Sequence, residues 1–122
     1  MNSLMNWRKS IPMAEYKVII LPLAEEDIVD LADYIACDLK SQETALNMVR
    51  GLRKTINSLS TFPQSHELDE DEELARCGIR KVYYKNYKIY FLISEREQTV
   101  YILRVFHMLV DSREKILKLF PD

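Results

Sequence analysis

From Gly78 to Asp111, apolar positions recur in three runs rich in Val, Ile, Tyr, Phe and Leu, separated by Lys85-Asn86 and by the polar patch Glu95 to Gln98. Short β-branched and aromatic runs bounded by polar turn residues predict an antiparallel meander. A tight turn at Lys85-Asn86 fixes the register of its first hairpin: Tyr84 faces Tyr87, Tyr83 faces Lys88, Val82 faces Ile89, Lys81 faces Tyr90 and Arg80 faces Phe91. Directly opposed residues share a face. Val82, Ile89, Phe91 and Ile93 therefore form an apolar face fit to lie under helices, while Lys81, Tyr83, Lys88 and Tyr90 form a basic, aromatic face expected to be open. An odd-length turn after Ile93, or a bulge, puts Arg104 beside Lys88 on that open face. An even count buries it beside Ile89, which is costly without a partner. His107 has the opposite strand parity, so it joins the same site only if the strand ends or kinks there; otherwise it reads as a structural histidine.

Upstream the period changes. Tyr16 to Leu21 is a short β-branched run ended by Pro22 and predicts a first strand. Acids at Glu25, Glu26 and Asp27 open a helix whose apolar stripe is Ile28, Leu31, Ala32, Ile35, Ala36 and Leu39, with Asp30, Asp33 and Asp38 opposite. Ser41 is the expected N-cap of a second helix with the stripe Ala45, Met48, Val49, Leu52, Ile56 and Leu59, ended by Phe62-Pro63. So short a break makes the two an antiparallel hairpin, and Gly51 suggests close packing against the partner helix. Gln64 to Ala75 reads as a solvated, mobile acidic loop, and Ser112 to Phe120 as a closing helix with Ile116, Leu117 and Phe120 inward. The predicted fold is α+β: an antiparallel-rich four-stranded sheet with an N-terminal helical hairpin on one face, in the order β-α-α-β-β-β-α.

Composition narrows the function. The 122 residues are 48% hydrophobic and 30% charged with 2 Gly, which excludes a disordered chain and fits one compact unit. Residues 1–12 read as an N-terminal extension ahead of a domain at 13–122. The start of the chain is a poor signal peptide, and no apolar run approaches membrane-spanning length, so a cytoplasmic protein without membrane contact is expected. Cys37 and Cys77 lack metal-ligand spacing and read as ordinary thiols; neither metal nor cofactor is expected. The net charge of −2 argues against a general nucleic-acid binder. Its distribution is uneven, with 10 Lys and Arg against 5 Asp and Glu over residues 76–122, which points to a basic working face on an acidic body.

The elements and their order, with Arg80, Tyr87-Lys88-Ile89-Tyr90, Ile102-Leu103-Arg104-Val105-Phe106-His107, Asp111 and Ile116-Leu117, resemble the RelE/ParE superfamily of bacterial type II toxins, also called plasmid-stabilisation proteins. The resemblance covers roughly Tyr16 to Leu117 and implies a small toxin neutralised by a cognate antitoxin. RelE-like members cut mRNA, usually on the ribosome, without a metal; ParE-like members bind DNA gyrase. For the first branch it implies Arg80, Lys88, Arg104 and His107 as the catalytic set, with Lys81, Tyr83 and Tyr90 holding substrate. Such a site would deprotonate a 2′-OH, protonate the leaving 5′-oxygen and hold the phosphorane's charge. Met108-Leu109-Val110, where small and basic residues are usual, and the acidic loop fit a ParE-like or otherwise protein-binding member at least as well. A catalytically inactive member kept as a protein-binding module is the alternative from another class.

Overall fold

The computed structural model describes residues 15–120; the expected extension at residues 1–12 lies outside them. Strand β1 (Lys17–Ile20) leads into α1 (Pro22–Asp33), whose last turn widens into a π-helical stretch at Tyr34–Asp38. Helix α2 (Gln42–Asn57) returns antiparallel, its first turn held by the Ser41 Oγ, which accepts the Thr44 N–H at 3.2 Å. After two 3-10 turns and the short helix α3 (Glu72–Arg76) come β2 (Ile79–Tyr84), β3 (Tyr87–Ser94), β4 (Thr99–His107) and α4 (Arg113–Leu117). The sheet order is β1-β4-β3-β2, with β1 parallel to β4 and the other pairs antiparallel.

The β2–β3 register is the one the Lys85-Asn86 turn predicts, from Tyr84↔Tyr87 to Arg80↔Phe91. Ile89, Phe91, Val100, Ile102 and Val105 pack against Ala24, Ile28, Leu52, Ile56 and Leu59 of the hairpin, with Val82 and Ile93 at the margin. The first-helix stripe holds at Ile28 and Ile35 but not at Leu39, which is 57% exposed because the widened last turn rotates it off the stripe. Gly51 does serve close packing, but against the sheet: a Cβ there would lie 1.8 Å from the Tyr84 hydroxyl of β2, so the absent side chain is what admits the tyrosine.

Two expectations fail on the opposite face. It is not open: Ile79, Tyr90, Leu103 and Phe106 form a second cluster with Leu74 of α3 and Ile116 of α4. The acidic stretch is not a free loop either. The Asp69 N–H bonds the Ile79 carbonyl at 2.9 Å, and Asp71 caps α3 by accepting the Glu73 and Leu74 N–H groups, so the segment straps the β2 edge. A run of acids reads as solvated only when no cations face it; here they do.

Candidate functional site

The four candidate cations of the sheet end in different places. Arg104 reaches its face through a bulge: the β3–β4 register shifts between Tyr90, which pairs Arg104, and Phe91, which pairs Ile102, so Leu103 is the extra residue. The bulge keeps Arg104 on the face of Lys88 and Tyr90, with its guanidinium 4.5 Å from the centre of the Phe106 ring. It does not turn to Lys88. Its Nε and Nη2 donate to the two carboxylate oxygens of Asp27 at 2.7 and 2.8 Å, and the Val105 N–H bonds the same carboxylate at 2.9 Å. Asp27 belongs to α1, which lies against β4 where β1 has ended. The hydrogen bond to Asp27 raises the Arg104 pKa, against some opposition from burial.

Lys88 is only 8% exposed, and its Nζ donates to the Val110 carbonyl at 2.8 Å and to the Ser112 Oγ at 2.9 Å. Burial, aided by the charge of Lys81, lowers its pKa. The Tyr90 hydroxyl lies 2.7 Å from the same Ser112 Oγ, and burial raises its pKa. Lys81 sits between Asp69, at 3.3 Å, and Glu70, at 2.9 Å. Desolvation works against its charge, but the bond to Glu70 and the nearby Asp69 outweigh it and raise the pKa. Asp69 Oδ2 accepts no conventional hydrogen bond, so this ion pair is what answers its buried charge. Arg80 lies on the helix-covered face and donates to the carbonyls of Gln64 and His66. Tyr83 is half exposed.

His107 pairs with Tyr87 at the end of β4, and the two rings meet edge to face at 5.4 Å. Beyond Arg104 the register runs on unshifted to it, so strand parity turns it to the side opposite Lys88 and Arg104. Its Nδ1 accepts the Leu109 N–H at 3.1 Å, which leaves the proton of the neutral ring on Nε2.

Thus Lys81, Lys88, Tyr90 and Arg104 share a face, while Arg80 and His107 do not join them. The shared cations are matched to groups that inspection of the sheet strands alone misses: Asp27, Asp69, Glu70 and Ser112. Asp27 left a signal, because it lies three residues after Ala24 and four before Leu31, on the inward stripe of α1. Arg113 of α4 extends the pattern by binding Asp71 at 2.7 Å and also Glu73.

The sequence model of the family described as "ParE toxin of type II toxin-antitoxin system, parDE" matches residues 18–111. The chain belongs to the ParE toxin family. Among solved structures it is similar to the chromosomal ParDE TA system from P. aeruginosa, with a TM-score of 0.64 at 16% identity, covering 76% of this chain and 96% of that one. It is also similar to the toxin-antitoxin complex RelBE2 from Mycobacterium tuberculosis, with a TM-score of 0.55 at 23% identity, covering 78% and 93%. At such identities these likenesses establish the RelE/ParE fold. No curated protein sequence matches the chain significantly. The ParE match contains the bulge, the Asp27–Arg104 pair and the strap, and stops at Asp111, just short of Ser112 and α4. Among the described residues no helix of this ParE-family chain is long and apolar enough to cross a membrane.

Proposed function

We propose that the chain is the toxin half of a type II pair, that a cognate antitoxin neutralises it, and that it acts by binding DNA gyrase and not by cutting mRNA. Family membership supports the first part. The observation that carries the choice of target is the internal commitment of the basic side chains. RNA cleavage needs free cations around a phosphate and an acid within hydrogen-bond reach of the leaving oxygen. Here Arg104 is held bidentately by Asp27, Lys81 by two acids and Lys88 by Ser112, while the one histidine of the set faces away. A phosphate entering that face would first have to displace carboxylates. On this reading the chain works in the cytoplasm, contacts neither a membrane nor the ribosome, and its target contact is protein to protein.

The test uses purified protein in two assays, gyrase supercoiling and cleavage of mRNA programmed on ribosomes. Loss of supercoiling with intact message is the expected result. Cut message with supercoiling untouched would overturn the proposal and restore Lys88, Arg104 and His107 as catalytic candidates. Inactivity in both, with growth unaffected by strong expression, would leave a protein-binding member without toxicity.

A further inference from the structure

We infer that Met108 and Leu109, in the turn after β4, form an apolar knob on a fixed backbone that seats in a preformed apolar cup, with a carboxylate on its rim for Lys85, on a folded protein. Resting on the reading above, this is the contact through which the chain engages gyrase. Leu109 is 85% exposed, the most exposed large hydrophobic residue among those described, and Met108 is 45% exposed. An isolated exposed leucine on a loose loop would carry no information. This turn is held at every step. The Met108 N–H bonds the Asn86 carbonyl at 2.7 Å, and the Leu109 N–H bonds His107 Nδ1 at 3.1 Å. The Val110 N–H bonds the His107 carbonyl at 3.0 Å, and the Val110 carbonyl takes the buried Lys88 ammonium at 2.8 Å. The fold thus fixes the backbone that carries an apolar side chain in water, so little main-chain ordering is left to lose on binding. A preordered contact loses less freedom on binding, and a few well-buried residues carry most of the energy of an interface.

Shape and charge choose the partner. A knob that projects needs a concave, folded surface. An extended tail or a single helix is itself convex and would seek a groove, such as the one lined by Ala32, Ala36, Ala45 and Val49 between α1 and α2. The Tyr87–His107 pair adjoins the knob at the end of β4, and interfaces are enriched in tyrosine and methionine. One cation is exposed here: Lys85, in the turn that holds Met108, its ammonium 5.7 Å from the centre of the Tyr84 ring. Asp111, exposed two residues beyond Leu109, is the only acid in that stretch, so acceptors are what the rim of the partner must supply.

The test measures inhibition of purified gyrase supercoiling by Leu109→Asp, Leu109→Met and Lys85→Glu, with thermal midpoints taken in parallel. Leu109→Asp should lose about tenfold or more in potency. Leu109→Met should keep most of it, Lys85→Glu should lose several-fold at low salt only, and all midpoints should match the parent. Leu109→Asp inhibiting as well as the parent would overturn the knob and leave the gyrase reading standing. A parent that does not inhibit gyrase would overturn both. If Leu109→Asp proves poorly folded, Lys85→Glu decides: unchanged potency at low salt overturns the inference.

Discussion

Tyr90 and Phe91 are neighbours in one strand and look in opposite directions, and they show how differently the two sides of the sheet are held. Phe91 is fully buried in a cluster that aliphatic side chains of the sheet and of two long helices build together. Tyr90 is nearly as buried, yet it touches a serine that also receives a lysine ammonium, beneath elements only five residues long. One side is stabilised by apolar area. On the other, apolar contacts share the work with charges matched across long separations in sequence. The lesson is that burial alone does not identify an inert core, and that a basic sheet face need not be an exposed one.

The contrast can be broken most strongly on the aliphatic side. Phe91→Ala should cost about 3–5 kcal/mol, read as a lower midpoint in chemical denaturation, because the hole is lined by side chains that cannot follow it inward. A loss below about 1 kcal/mol would mean that this cluster is far looser than its packing indicates. A smaller effect is expected where charge does the holding. Asp27→Ala should cost about 2–3 kcal/mol, since it leaves both the Arg104 guanidinium and the Val105 N–H without their acceptor. Adding Arg104→Met to Asp27→Ala should recover part of that loss, and a double variant no better than the single one would show that the pair is not coupled.

The smallest effect belongs to pH. Bonding to Lys81 holds the Glu70 carboxyl below its ordinary 4.5, and the Leu74 N–H, with Arg113 behind it, holds Asp71 below its ordinary 3.8. Groups whose folded pKa is depressed contribute stability that is complete above the ordinary value and is lost as pH falls through the folded one. Protection factors of the α3 amides, with the pH-dependent intrinsic exchange rate divided out, should therefore be flat above about pH 5 and should fall below about pH 4, before those of β3 respond. Simultaneous loosening of both regions would show that the strap has no separate equilibrium.

Much of the fold was legible because it obeys local rules. The Lys85-Asn86 turn sets a register by counting, Ser41 announces a helix start, and the stripe through Leu52 and Ile56 has helical spacing. The bulge was legible as a requirement, since Arg104 had to escape the aliphatic side, but its position at Leu103 was not. What could not be read was the destination of each charge. Lys81 meets Asp69 and Glu70 only after the chain has folded back on itself, and nothing in a run of six acids between Glu67 and Glu73 says which of them will turn inward. For the candidate site this matters most: residue types were right for one chemistry while their partners, set by tertiary contacts, favour another.

Asp27 has a consequence beyond its ion pair. Strand β1 accompanies β4 only from Thr99 to Ile102, so the remainder of β4 would offer bare main-chain donors along that margin. At Val105 a carboxylate from α1 occupies the place of an absent neighbouring strand. A foreign strand attempting to extend the sheet there finds the position already taken, and this part of the molecule is guarded against edge-to-edge association.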